Sequence, residues 1–88
     1  MGQYYYITYP STLENGHLMK DRIKQFSDYI NFMDCNWFIY TDEDIQSVYG
    51  KLTKGEFENE KILILKIDFS NYWGRMQKEL WEWMKKER

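Results

Sequence analysis

The chain carries one histidine, His17, and one cysteine, Cys35, and these two set narrow limits on its chemistry. A zinc site needs several His, Cys or carboxylate ligands converging on one point, and neither C-x-x-C nor H-x-x-x-H spacing occurs. A Cys-His nucleophile needs its two side chains within hydrogen-bond reach, yet Cys35 falls in a turn-like stretch and nothing places it beside His17. His17 reads as a solvated residue in the first turn of a helix. Carboxylates are more plentiful. Asp34, Asp68 and the adjacent Asp42, Glu43 and Asp44 are the candidates for a magnesium or manganese site. A structural role accounts for the trio, which suits the positive end of a helix dipole, and for Asp68, which suits a strand-to-helix loop. Neither G-x-x-x-x-G-K nor G-x-G-x-x-G is present, so nucleotide hydrolysis is not indicated. No catalytic residue, metal or cofactor is assigned.

The abundant chemistry is aromatic, with 4 Trp, 8 Tyr and 5 Phe. Near the end, Arg75, Lys78, Lys85, Lys86 and Arg88 are interleaved with Trp81 and Trp83. Arginine and tryptophan together can stack bases and hold phosphates. Glu79, Glu82 and Glu87 dilute that charge, and the same residues make an amphipathic helix with a solvated face. The Y-Y-Y-I-T-Y run, Tyr4 to Tyr9, could likewise stack bases, but no RNP-like motif accompanies it, and packing is the simpler reading.

These residues need elements to position them. Tyr4 to Tyr9 is a strand, stopped by Pro10. A turn-rich stretch follows, and Leu18, Ile23, Phe26 and Ile30 at near-helical spacing predict a first helix from about Gly16 to Asp28. Asn31 to Thr41 reads as a hairpin turning at Asp34 to Asn36. Thr41 as hydroxyl cap, followed by three carboxylates, opens a second helix, about Asp42 to Thr53, with Ile45, Val48, Tyr49 and Leu52 on one face. Lys61 to Ile67 is the last strand. Ser70 or Asn71 can cap a third helix that runs nearly to the end, with Trp73, Met76, Leu80 and Met84 in one stripe and Trp81 and Trp83 widening it.

The order β-α-β-β-α-β is the split βαβ arrangement, so the expected fold is α+β: a ferredoxin-like antiparallel sheet with an added C-terminal helix, one domain over 1–88. Two helices cover one face of such a sheet. The first and last strands are apolar on both faces, so the other face also demands cover, from the third helix and from a second copy of the chain. A domain this short buries only roughly 60% of its unfolded surface, which also favours a homodimer. The formal net charge of -2 excludes a global positive field toward nucleic acid or anionic lipid. The longest apolar run, Ile62 to Leu65, is far below the ~20 residues of a membrane span. With a lone cysteine and no signal-peptide pattern, the expected location is cytoplasmic.

The opening Y-x-I-x-Y strand, C-N-W-F-I-Y-T, the helix with I-x-x-x-Y-x-K-L, the strand E-K-I-L-I-L-K-I and the late W-G and W-M-K elements resemble the small CRISPR adaptation ribonuclease family and its stand-alone SinR-like relatives, over nearly the whole chain. The resemblance implies a ferredoxin-like homodimer packed through its sheets. It also implies a metal-binding aspartate directly after the first strand, where this chain has Pro10, flanked by Ser11 and Thr12. Proline cannot ligate a metal, so the resemblance points to a scaffold without the catalytic site.

Three functions follow. The first is a non-catalytic dimeric binding or adaptor module, in the setting of phage–host defence or counter-defence, which engages a protein or nucleic acid through Trp81, Trp83, Arg75 and Lys78. This reading expects Trp81→Ala or Trp83→Ala to abolish activity without unfolding. The second is a divergent magnesium- or manganese-dependent nuclease using Asp34, Asp68 or the Asp42 to Asp44 cluster. The third is a small-nucleotide sponge holding its ligand at the dimer seam with tyrosines such as Tyr9 and with Ser11 or Thr12.

Overall fold

The computed structural model describes residues 2–88. Its elements are β1 (Gln3–Thr8), α1 (Gly16–Lys24), β2 (Asp28–Met33), β3 (Asn36–Thr41), α2 (Ile45–Thr53), β4 (Leu63–Ile67) and α3 (Lys78–Lys85). The strands form one antiparallel sheet in the order β2-β3-β1-β4. This is an α+β fold of ferredoxin-like order with a helix added after β4.

Side chains alternate across a strand, so Tyr5 and Ile7 leave β1 on one face, continued by Tyr9 just past its end, and Tyr4 and Tyr6 on the other. The first set meets Trp37 and Ile39 of β3, Met19 and Ile23 of α1, Val48 and Leu52 of α2, and Phe26 and Phe57 from the connections, all of them buried. Trp37 Nε1 donates to the Tyr9 hydroxyl at 3.2 Å, which satisfies the polar end of a ring sealed in the core.

Several boundaries differ from the sequence expectation. The first helix ends at Lys24, and Ile30, placed on its stripe, belongs to β2 and pairs with Phe38. Tyr29 and Ile30 are strand formers, and pairing with β3 outweighs their helical spacing from Phe26. The second helix begins at Ile45, and its cap is Asp44 rather than Thr41: Asp44 Oδ1 accepts from Ser47 N at 2.8 Å. It ends where Gly55 takes φ 77, a left-handed turn that glycine adopts freely. The last strand starts at Leu63 rather than Lys61.

The third helix is much shorter than expected, because residues 68–77 are not helical. Asp68 Oδ1 accepts from both Ser70 N and Ser70 Oγ, at 3.0 and 2.5 Å, a local turn that competes with helix formation. Gly74 adds about 1 kcal/mol against a helix through that point. Trp73 is therefore not on a helical stripe, while Leu80 is buried as expected.

Arg22 ties the two helices on the core face together. Its guanidinium donates to Leu52 O at 3.1 Å, Lys54 O at 2.7 Å and Glu56 Oε1 at 2.5 Å, and lies 5.0 Å from the Phe57 ring centroid. It thus satisfies carbonyls at the end of α2 from another helix. Arg22→Ala is expected to lower stability by about 2 kcal/mol. The measurement is the urea midpoint, and an unmoved midpoint would show that these contacts contribute nothing in solution.

Candidate functional site

The sheet face opposite α1 and α2 carries Tyr4, Tyr6, Phe38, Tyr40, Leu65 and Ile67, by register. Phe69 and α3 lie over the β1–β3 part of it. The Trp83 ring centroid stands 5.8 Å from Tyr4, 6.1 Å from Phe38 and 6.4 Å from Phe69. Rings at these separations and tilts attract one another beyond their simple burial. The N-terminal end of α3 is held by Gln77 Nε2 donating to Phe32 O at 2.8 Å. Cover stops short of β4, where Leu63 and Leu65 are 49% and 45% exposed.

Beyond its last turn α3 is pinned by Arg88. The guanidinium donates from Nε to Asp28 Oδ2 at 2.6 Å, from Nη2 to Asp28 Oδ1 at 3.3 Å and from Nη1 to the Tyr4 hydroxyl at 3.3 Å. It lies 4.2 Å from the Trp83 ring centroid and 5.3 Å from those of Tyr4 and Tyr40. Gly2 backs the Tyr40 ring so closely that any side chain there would displace it. Burial pushes the Asp28 carboxyl up, but hydrogen bonding and charge from Arg88, with help from Lys86 and Trp83, leave it below its ordinary value. Trp83 Nε1 is buried near this carboxylate but outside full hydrogen-bond geometry.

The exposed chemistry lies in residues 72–85. Tyr72 and Trp81 stack with centroids 5.8 Å apart and planes 20° apart. Trp73 is fully exposed. Together with Gly74 and Lys85 these three rings line an open cleft of about 310 Å³. Arg75, Lys78 and Lys85 are exposed beside it, as are Glu79 and Glu82. The surface offers flat apolar rings with nearly balanced charge.

The residues singled out from the sequence fall into two separate groups. Trp81, Arg75 and Lys78 lie on or beside α3. Trp83 is on α3 too, but packed against the sheet, so Trp83→Ala would loosen α3 rather than act on a free surface, contrary to expectation. Tyr9 is buried on the opposite face, and its hydroxyl is taken by Trp37. Burial raises that phenol's pKa, the Trp37 hydrogen bond lowers it, and Cys35 beside it adds to the rise, the net being upward. Ser11 and Thr12 are exposed in the turn after β1, with Pro10 O accepting from Leu13 N at 3.0 Å. The open cleft at that end is lined by Thr8, Tyr9, Pro10, Lys61, Ile62 and Leu63, and holds no carboxylate.

Among the described residues, no three His, Cys, Asp or Glu side chains stand close enough to hold a metal ion. Asp34 sits at φ 44 in the β2–β3 turn, and Asp68 is engaged with Ser70. Hydrogen bonds from Ser70 hold the Asp68 carboxyl below its ordinary value. Of the trio, Asp44 caps α2, and Glu43 is bonded to Lys51 and Ser47, which likewise lower its pKa. Sequence reasoning missed the exposure of Tyr72 and Trp73 and the Asp28–Arg88 pair. The Y-W-G run, ending in a helix breaker, was the signal for the first; nothing local signals the second. Compared with protein-family models, with curated proteins and with solved structures, the chain matches none.

Proposed function

We propose that the protein is a non-catalytic binding module that works as a homodimer. The observation that carries this is the pair of half-exposed leucines, Leu63 and Leu65, on a strand at the edge of the sheet. An edge strand with apolar residues and unpaired backbone groups is a template for another strand. A second copy of β4 suits it. Antiparallel pairing about a twofold at Leu65 sets Leu65 against itself and Leu63 against Ile67, and sets Lys66 against Ile64, so the lysines do not face one another.

Each copy also carries the Tyr72, Trp73 and Trp81 surface. Its nearly balanced charge favours a protein partner with an apolar pocket for Trp73 over a phosphate backbone, since exposed tryptophans make strong interface anchors. The setting that the family resemblance implies is phage–host defence or counter-defence.

Size exclusion with light scattering is expected to give twice the 10.9 kDa chain mass, and Leu65→Asp to return the single mass. Trp73→Ala is expected to leave dimer and melting temperature unchanged while removing partner capture. A wild-type monomer would sink the dimer. Magnesium- or manganese-dependent cleavage of nucleic acid that is lost on Asp34→Ala or Asp68→Ala would replace this reading with the nuclease one.

A further inference from the structure

We infer that Tyr4, Tyr40, Trp83 and Asp28 form an arginine-recognition box, filled here by the chain's own Arg88, which takes the arginine side chain of another molecule once Arg88 is withdrawn. The site is built for this group. Three ring faces surround the guanidinium at 4.2 to 5.3 Å, and one carboxylate meets its edge through two nitrogens. Aromatic faces attract a cation, but the paired contacts to Asp28 require the planar fork that lysine lacks.

The box opens outward. The Arg88 side chain is only 5% exposed, whereas Lys86 and Glu87 before it are exposed, so the side chain reaches in from the surface. An arginine from elsewhere can take the same route. Withdrawal costs α3 one anchor but leaves the Trp83 wall standing: α3 ends at Lys85, with Lys86 N donating to Trp83 O, so residues 87–88 can lift away while Trp83 keeps its packing on Tyr4, Phe38 and Phe69. The resident arginine, tethered at high local concentration, keeps the site closed to weak ligands. The box is distinct from the Trp73 surface and from β4.

The test is titration of the Arg88→Ala chain with N-acetyl-arginine amide, followed by tryptophan fluorescence and near-ultraviolet circular dichroism. Saturable binding is expected, with N-acetyl-lysine amide needing about tenfold more or failing to saturate. The wild-type chain is expected not to respond over the same range, nor the Asp28→Asn, Arg88→Ala double variant. No saturation in Arg88→Ala, equal response to both amides, or an equal response in wild type would each overturn the inference. If Arg88→Ala is poorly folded, the arginine derivative is expected to restore its near-ultraviolet signal, and Arg88→Lys serves as a folded second background. Failure in both would also overturn it.

Discussion

Trp37→Ala is expected to unfold most of the protein at room temperature. The ring is almost wholly buried between the sheet and the two helices on its core face, and truncating a buried tryptophan costs about 3–5 kcal/mol. The same change removes the donor to the Tyr9 hydroxyl, leaving a buried phenol without that partner, which adds about 1 kcal/mol or more. Domains of this size have about 5–15 kcal/mol in total, and a short one sits near the low end. Trp37→Phe keeps most of the volume and loses the hydrogen bond, so it is expected to fold with a clearly lowered urea midpoint. Equal midpoints for the wild-type and Trp37→Phe chains would show that the Trp37–Tyr9 bond contributes nothing, and a stable Trp37→Ala chain would place Trp37 outside the core.

Asp28→Ala is expected to have the next largest effect, about 2–4 kcal/mol, because it strands the Arg88 guanidinium among three rings without its counter-charge. The damage is expected to be local, with α3 loosened and the core on the other face retained. Tryptophan fluorescence should shift at low denaturant while far-ultraviolet circular dichroism holds. Acid should do the same to the wild type. The folded carboxyl lies below the ordinary value of 3.8, so the pair's contribution is complete above that pH and is lost as pH falls through the lower folded value. The fluorescence of the wild type should change in that acid range, and Asp28→Asn should lack the transition. A wild-type signal flat down to the acid unfolding of the whole chain would separate Asp28 from the holding of α3.

What the sequence discloses here is local pattern. The Y-Y-Y-I-T-Y and I-L-I-L-K-I runs mark β1 and β4, and i, i+3, i+4, i+7 spacing marks α2, because each depends on neighbours a few residues away. Ile30 misleads for the same reason: it stands four residues from Phe26, but its partner is Phe38. Trp73 and Met76 continue a helical rhythm that the Asp68–Ser70 turn interrupts, and side-chain-to-backbone competition leaves little trace in hydropathy. The candidate surface is half visible in the sequence. Lys78 and Trp81 fall on the added helix as expected, Arg75 precedes it rather than lying on it, and packing claims Trp83 and Tyr9, which the sequence offers as available. The pairing of Asp28 with Arg88 spans 60 residues, beyond any periodicity.

The sheet order has a kinetic meaning as well. The β2–β3 hairpin joins residues close in sequence, whereas β1 must find β3 across 28 to 38 residues, and β4 across 55 to 63, with Tyr4 opposite Ile67. Loop-closure entropy has to be met before such distant pairs return any stability. The hairpin can therefore form early, while β4 and then α3 join last, and until they do the rings of the far face are bare to other copies of the same chain. A domain arranged in this way is most prone to misassociate in the interval between making its hairpin and closing its final strand.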